Sequence, residues 1–305
     1  MTEIPTQSRQ LELDKPSLLA DDIQEIRLPM DRCDLAAQVS RLLVSKAIAI
    51  APFELDTLHL HIPLRMQVPD EYGLNEITKL LYDTDEAFKR TYLEVIKYLA
   101  REVFPFEFLY QETPTMRFHF PVPFMDSHRD KSGNYLGHHN DGMLGHSFEE
   151  INCWFPLTNC SGTAALQIAG LTDSIELLEN LCGDFGYDTE IFHERGRVKF
   201  DEKLFNDEHF RRKAVAVTKA RAMEYGELLI FDSRCIHATA ENIETKTRVS
   251  ADFRLIPLDR YEQLDCVYVS RGRSKRKFVR GDIFSRLSSA DLLGHVASGA
   301  SGPVD

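Results

Sequence analysis

Three residues that can bind a metal stand out in this sequence: His139, Asp141 and His237. Two imidazoles and one carboxylate are the ligand set of facial-triad Fe(II) sites, which hold the metal on one side and leave the other side open. A single His-x-Asp tripeptide is common in surface loops, so the prediction depends on the second histidine, 98 positions after the first. Together the three residues predict an iron centre with open positions for O2.

A second polar pair follows the distal histidine. Arg248 and Ser250 lie 11 and 13 positions beyond His237. A planar guanidinium can bind a carboxylate through two parallel hydrogen bonds, and a hydroxyl can add a third. The pair therefore predicts a site for a dicarboxylate co-substrate, and with the iron ligands it indicates a dioxygenase that uses Fe(II), 2-oxoglutarate and O2.

The residues after this arginine alternate as in a strand. Arg248, Ser250, Asp252 and Arg254 would share one face, because successive side chains of a strand point to opposite sides. We predict that this polar face points inward, although burying so much charge costs several kcal/mol unless partners are present. The alternative is a solvated edge strand whose apolar residues face the core.

Further candidates line the same predicted cavity. Asn152 and Trp154 alternate on the predicted strand that follows the segment with His139 and Asp141, and both are candidates for co-substrate binding. The candidates for substrate contact are Arg117, His119, His146, Glu149, Asp252 and Arg254. For His146 we favour a hydrogen bond that supports a metal ligand. Both charge signs in this set suit a small polar molecule such as an amino acid, amino sugar or cyclitol.

The chain contains a rival His-x-Asp at His128 and Asp130. We favour His139 and Asp141 because a turn at residues 133–134 is followed by a short strand that would deliver His139 to the site. The rival pair stays open at this stage.

Apolar periodicity predicts the elements that must position these residues. Helices are predicted at residues 34–45, 85–103 with Thr84 as its N-cap, and 173–181 with Thr172 as its N-cap. Short strands are predicted at 47–51, 115–120, 134–139, 150–157, 164–168, 214–217, 227–231 and 248–256. Strands of this length, separated by turn residues, indicate a β-barrel or sandwich.

Composition limits the classes of function. The chain has 305 residues, a net charge of -12 and a pI near 5.4, which argues against a nucleic-acid partner because such binding depends on basic side chains. Six cysteines without a CxxC pair, no signal peptide and no long apolar stretch predict a cytoplasmic protein without membrane segments. A homodimer is compatible with the sequence.

Two blocks of the sequence resemble the phytanoyl-CoA-hydroxylase-like Fe(II)/2-oxoglutarate dioxygenases, especially the branch with streptomycin-biosynthesis-type oxygenases. The blocks are HNDGMLGHSFEEINCWFPLT at 139–158, and GELLIFD at 226–232 with His237, Asn242 and TRVSADFR at 247–254. The resemblance implies a double-stranded β-helix of the jelly-roll, cupin-like type. It also implies iron ligands at His139, Asp141 and His237, and binding of the 2-oxoglutarate C5 carboxylate by Arg248 and Ser250.

We therefore predict a single, mostly β domain with flanking helices over residues 1–305. It would comprise a loose leader (1–20), helical and strand support (21–113), the β-helix core (114–257, with an insertion at about 172–212) and a C-terminal extension (258–305). The basic stretch 270–280 is either a solvated tail or a lid over an anionic group.

The predicted activity is hydroxylation of an unactivated C–H bond in a natural-product intermediate or similar metabolite. The alternatives are desaturation or oxidative cyclisation at the same site and, from a different class, a non-catalytic metal- or sugar-binding cupin-like module. Halogenation is disfavoured, since Asp141 would occupy the position that related halogenases leave to chloride.

Overall fold

The computed structural model describes residues 17–68, 74–122, 137–141, 146–184, 208–263, 268–271, 274–277 and 283–293. Its twelve strands in these ranges are β1 (Ile23–Arg27), β2 (Phe108–Gln111), β3 (Thr115–His119), β4 (Ile151–Pro156), β5 (Leu166–Ile168), β6 (Lys219–Arg221), β7 (Glu227–Asp232), β8 (His237–Thr239), β9 (Arg248–Pro257), β10 (Tyr268–Arg271), β11 (Ser274–Lys277) and β12 (Phe284–Arg286). The helices are α1 (Leu35–Ser45), α2 (Glu76–Leu80), α3 (Glu86–Tyr98), α4 (Leu171–Asp184), α5 (Glu208–Val217), α6 (Leu258–Gln263) and α7 (Ser289–Leu293).

Two antiparallel sheets form the centre of the fold. The larger has the order β1-β7-β4-β9-β2-β12, and β3 pairs with β9 beside β2. The smaller has the order β6-β5-β8. Trp154, Leu229 and Phe231 of the large sheet pack with Leu166 and Ile168 of the small one, so the sheets lie face to face. This arrangement confirms the predicted mostly β, jelly-roll class with flanking helices.

Strand β9 shows how the large sheet separates apolar from polar residues. Val249, Ala251 and Phe253 are buried in the main core, together with residues of α1 and α3. The ring of Tyr92 from α3 meets the ring of Phe253 edge-on, with 5.3 Å between their centroids. The polar residues of β9 must therefore face the small sheet, as the predicted inward polar face requires. The edge-strand alternative is wrong.

Helices α1 and α3 cover the outer face of the large sheet. Helix α1 begins after Asp34, whose Oδ1 accepts a hydrogen bond from the Ala37 amide at 2.9 Å. In α3, Asp85 caps the Phe88 amide and also accepts two hydrogen bonds from Arg41 of α1, at 2.6 and 2.7 Å. The N-cap of α3 is thus Asp85, one residue after the predicted Thr84. A π-helical turn, Leu99–Val103, continues the helix to its predicted end.

Two predicted strands and a second predicted cap are also wrong. Residues 47–51 form turns, because Ala47 takes a left-handed φ of 55° and the amides of Ile48 and Ala49 bond back to the Leu43 carbonyl. Residues 214–217 are the last turn of α5, in which Phe210 and Ala214, four positions apart, are both buried. Helix α4 begins at Leu171, so Thr172 lies within it.

Several other predictions concern the chain ends and the cysteines. Leu19, inside the predicted loose leader, is buried in the main core. β10 and β11, which overlap the first part of the basic stretch, pair as an antiparallel hairpin. Cys33, Cys153, Cys160 and Cys235 are buried free thiols, and burial raises the pKa of Cys33 to about 11. Within the described part of the chain, no helix combines the length and apolar character needed to cross a bilayer.

Candidate metal centre

Backbone pairing at the edge of the small sheet brings the two predicted histidine ligands together. The amide of His139 donates to the carbonyl of His237 at 3.0 Å, and the amide of His237 donates to the carbonyl of His139 at 2.8 Å. The two ring centroids are 4.4 Å apart. The Asp141 amide bonds to the Ser233 carbonyl at 3.1 Å, which holds the third residue beside the pair.

Hydrogen bonds on the far side of each imidazole define which nitrogen is available. His139 Nδ1 lies 2.6 Å from the Gly137 carbonyl, and His237 Nδ1 lies 2.9 Å from the Cys235 carbonyl. Because a carbonyl can only accept, each Nδ1 carries the hydrogen and each Nε2 keeps its lone pair when the ring is neutral. Burial lowers the pKa of both histidines, which favours this neutral form. Metal-binding histidines are commonly oriented in this way.

The third residue, Asp141, is fully buried and uses its two oxygens differently. Oδ2 accepts a hydrogen bond from Arg254 Nε at 2.6 Å. Oδ1 has no hydrogen-bond partner and lies 3.6 Å from His237 Nε2. Burial opposes ionisation, but the charge of Arg254, with His146 and His237, holds the pKa of Asp141 below its usual range. The carboxylate is therefore ionised, with one oxygen unused.

One ligand atom from each of His139, Asp141 and His237 lies within 4.8 Å of the others. Three converging donors of this type suit a first-row divalent metal, and two imidazoles with one carboxylate suit Fe(II) with open positions. The three residues thus form a site that can hold an iron ion. The rival pair, His128 and Asp130, lies outside the described residues.

The metal-binding residues line a cavity between the two sheets. The empty space in and above the cavity, open solvent included, is about 530 Å³. From the large sheet it receives Arg117, Asn152, Trp154, Phe231, Arg248, Asp252 and Arg254, and from the small sheet Leu166, His237, Ala238 and Thr239. A mixed polar and apolar wall of this kind suits a small molecule with a few polar groups.

Arg248 is a buried charged residue of the cavity wall, and it has no carboxylate partner among the described residues. It is 2% exposed, its Nε has no hydrogen-bond acceptor, and its guanidinium carbon lies 5.5 Å from the centre of the Trp154 ring. Burial lowers the pKa of Arg248 to about 10. Ser250 Oγ and Asn152 Oδ1 are also buried without a hydrogen-bond partner. Ser250 does not itself line the cavity.

Two of the predicted substrate residues form an ion pair on the cavity wall. Arg117 of β3 and Asp252 of β9 pair through the arginine Nε and Asp252 Oδ2. The other oxygen, Asp252 Oδ1, is buried and accepts no hydrogen bond. The pair is therefore locally neutral and retains one acceptor.

The remaining substrate candidates lie elsewhere. His119 is directly opposite Arg248 in the β3–β9 register, and burial, with the charge of Arg248, lowers its pKa well below 6.5. Glu149 lies 3.9 Å from Arg260 as an ion pair. His146 contacts Glu150, with 3.1 Å between Nδ1 and Oε2. None of these three residues lines the cavity, so the predicted substrate contact is wrong for His119 and Glu149, while the supporting role favoured for His146 agrees with its contact to Glu150.

Glu150 was missed by the sequence analysis. It is 2% exposed, and its Oε2 lies 3.4 Å from Arg254 Nε. The sequence did hold a sign of its role, because an inward-pointing arginine at 254 requires a buried anionic partner. Two adjacent acids, Glu149 and Glu150, directly precede β4. Nothing in the sequence indicated which of the two acids would serve.

Comparison with known proteins gives fold-level likeness only. The sequence matches no protein-family model and no curated protein. Similar solved structures include "Non-heme monooxygenase, ThoJ-Ni complex" (14% identity, covering 78% of this chain and 74% of that chain, TM-score 0.38). A second is the "non-heme alpha ketoglutarate dependent carbocyclase SnoK from nogalamycin biosynthesis" (10% identity, covering 85% of this chain and 92% of that chain, TM-score 0.38). A third is HygX from Streptomyces hygroscopicus with nickel and 2-oxoglutarate bound (10% identity, covering 84% of this chain and 88% of that chain, TM-score 0.40). At these scores the likeness carries no argument about the function of this chain.

Proposed function

We propose that this chain is an Fe(II)- and 2-oxoglutarate-dependent oxygenase that hydroxylates an unactivated C–H bond of a small polar metabolite. The observation that carries the proposal is the presence, in one cavity, of the His139, Asp141 and His237 cluster and of Arg248, a buried cation without an acidic ion-pair partner among the described residues. A metal-binding module alone would need the first feature and has no use for the second.

The residues of the cluster fit an iron ion. His139 and His237 would bind through Nε2, and Asp141 would bind through its unused Oδ1. When bound, Fe(II) would supply O2 activation coupled to conversion of 2-oxoglutarate to succinate and CO2. The chain supplies the neutral imidazoles, the single carboxylate charge and a buried setting that keeps water away.

Arg248 is the residue we assign to the distal carboxylate of 2-oxoglutarate. Its Nε lacks an acceptor, and a carboxylate would provide one while neutralising a buried charge. The Ser250 hydroxyl is a donor two positions further on the same face of β9, and the Asn152 and Trp154 side chains belong to the neighbouring β4. Trp154 would confine the carbon chain, because its ring packs against the guanidinium.

The substrate would contact the Arg117–Asp252 pair. The unpartnered Asp252 Oδ1 favours a molecule with a hydroxyl or ammonium donor, such as an amino acid, amino sugar or cyclitol. The sequence blocks that resemble streptomycin-biosynthesis-type oxygenases support a natural-product intermediate. We also propose that this protein works in the cytoplasm and has no nucleic-acid partner.

The first experiment measures succinate in the absence of substrate. Metal-free protein is given Fe(II), 2-oxoglutarate and O2, and succinate is quantified by mass spectrometry, with the His237→Ala variant as control. We expect slow succinate formation that requires each component and is lost in the variant. If the wild-type protein binds metal but neither binds nor consumes 2-oxoglutarate, the proposal is wrong and a metal- or sugar-binding module becomes the better assignment.

The second experiment identifies the reaction type once a substrate has been found by its stimulation of succinate release. Product made under 18O2 in chloride-rich buffer should contain one 18O atom, because Asp141 supplies the anionic ligand that chloride would otherwise provide. A chlorinated product contradicts the assignment. Loss of two hydrogens without gain of oxygen would instead indicate desaturation or cyclisation.

A further inference from the structure

The geometry points to a positioning role for Arg254, supported by Glu150 and His146: together they hold Asp141 so that only Oδ1 faces the metal-binding space. This inference rests on the proposed function in one respect, namely that His139, Asp141 and His237 bind a metal. It reassigns Arg254, which the sequence suggested as a substrate contact, and it specifies the supporting role that the sequence favoured for His146.

The central contact is between Arg254 and Asp141. Arg254 Nε donates to Asp141 Oδ2 at 2.6 Å, while Asp141 Oδ1, 3.6 Å from His237 Nε2, accepts no hydrogen bond. The carboxylate is 0% exposed, so no water competes for Oδ2. A guanidinium N–H is a directional donor, and its bond to Oδ2 fixes the rotation of the carboxylate plane.

A second carboxylate, that of Glu150, lies beside Arg254. Glu150 Oε2 lies 3.4 Å from Arg254 Nε and 3.1 Å from His146 Nδ1. The backbone amide of His146 then donates to the Asp141 carbonyl at 3.0 Å. The contacts therefore close a loop that begins and ends at Asp141, and the side chains of Glu150 and His146 are 2% and 12% exposed. Glu150 Oε2 makes no hydrogen bond in this loop, so its attraction for Arg254 is electrostatic, and burial strengthens that attraction.

This arrangement has a consequence for metal binding. A free aspartate can offer one or both oxygens to a metal, and the choice changes the number of positions left for other ligands. Because Oδ2 is engaged by Arg254, Asp141 offers Oδ1 alone. Arg254 is also unavailable to an anionic substrate, since its charge is already balanced by two buried carboxylates, Asp141 and Glu150.

The test is a Co(II) titration of the metal-free, full-length protein, followed by calorimetry and by visible absorption of the bound ion. The variants are Arg254→Gln, Arg254→Lys and the matched control Arg117→Gln. The control removes the same charge from the same cavity, but its partner is Asp252. We expect Arg254→Gln to weaken Co(II) binding by about 10- to 100-fold, Arg254→Lys to weaken it less, and Arg117→Gln to change it by less than about threefold.

The absorption spectrum provides a readout that a purely structural role would not change. With Oδ2 released, Asp141 can bind through both oxygens, so the visible bands of Co(II) should shift in Arg254→Gln and remain unchanged in Arg117→Gln. Rescue should be partial in Arg254→Lys, because an ammonium restores the charge without the planar donor geometry.

If Arg254→Gln fails to fold, Arg254→Lys and Glu150→Gln decide the matter. Both should shift the spectrum, and Glu150→Gln should weaken Co(II) binding in the same direction by releasing Arg254. Wild-type affinity and spectrum in both variants would overturn the inference, as would an equal loss in Arg117→Gln. Failure of the wild-type protein to bind Co(II) would instead overturn the proposed metal centre and the inference with it.

Discussion

Two arginines on the same face of β9, six residues apart, have opposite surroundings. Arg254 is bound to Asp141 and faces Glu150, and despite burial these two carboxylates raise its pKa above the usual range. Arg248 is more deeply buried, has no ion-pair partner among the described residues, and burial lowers its pKa to about 10. One charge is balanced within the protein and the other is not.

The difference separates a residue that completes the site from one that awaits a ligand. A buried charge is costly unless it is paired, so a chain retains an unpaired arginine only where something outside the chain balances it. The Ser250 hydroxyl, two positions along β9 from Arg248, is likewise buried without a hydrogen-bond partner. The arginine at the end of the cavity near the metal ligands is therefore paired with carboxylates, whereas the end around Arg248, here called the unfinished end, holds an arginine without an ion-pair partner among the described residues.

The largest effect is expected from the metal ligands themselves. His139→Ala or His237→Ala removes one of three donors and leaves Asp141 with a single imidazole. Succinate formation should fall below detection, and Fe(II) binding measured by calorimetry should be lost in parallel. If either variant keeps its turnover, the metal centre is wrongly assigned.

Two other histidines provide matched controls for this prediction. His138 neighbours the site but bonds Thr218 at 3.0 Å, so His138→Gln should retain metal binding. His128→Ala should also retain substantial turnover. An inactive His128→Ala together with an active His139→Ala would move the ligand assignment to the rival pair.

The next effect distinguishes the two arginines by stability. Arg254→Met leaves Asp141 and Glu150 buried without their cation and should lower the free energy of unfolding by about 3 to 5 kcal/mol. Arg248→Met removes a buried charge that lacks a partner, and should change stability by less than about 1 kcal/mol in either direction. Urea unfolding of the metal-free proteins measures both. Equal losses would show that Arg248 is also balanced within the protein and would remove the contrast.

A smaller effect is expected when the charge at the unfinished end is kept but its shape is changed. Arg248→Lys loses the planar fork, and the misfit to a carboxylate should cost about 2 kcal/mol, or about a 30-fold rise in the Kd for 2-oxoglutarate. Metal affinity should stay at the wild-type value, because Arg248 does not touch the ligands. An unchanged Kd for 2-oxoglutarate would exclude Arg248 from co-substrate binding.

The same contrast shows what could be predicted from the sequence. Alternation along β9 correctly gave the inward polar face, because strand periodicity is local. It could not tell Arg248 from Arg254, since the partners of Arg254, Asp141 and Glu150, lie more than a hundred positions earlier in the chain and reach β9 only through the fold. The error at residues 214–217 has a similar origin: a short apolar run fits a strand or a helix, and the burial of Phe210 decided it.

The smallest effect concerns the support of the unfinished end by His59. Its Nδ1 lies 2.9 Å from Thr247 Oγ1, next to Arg248, and burial lowers the pKa of His59 below its ordinary 6.5. Below pH 6.5 His59 therefore binds a proton in the unfolded chain but stays neutral in the folded protein. Because the unfolded state then binds more protons, the free energy of unfolding falls as the pH drops from 6.5 towards the folded pKa, and is unaffected above pH 8.

Urea unfolding between pH 5 and 8 should show a shallower pH dependence in His59→Asn than in the wild-type protein. If His59→Asn keeps the wild-type slope, His59 is protonated as easily in the folded protein as in the unfolded chain, and the region around Thr247 and Arg248 is better hydrated than its burial indicates.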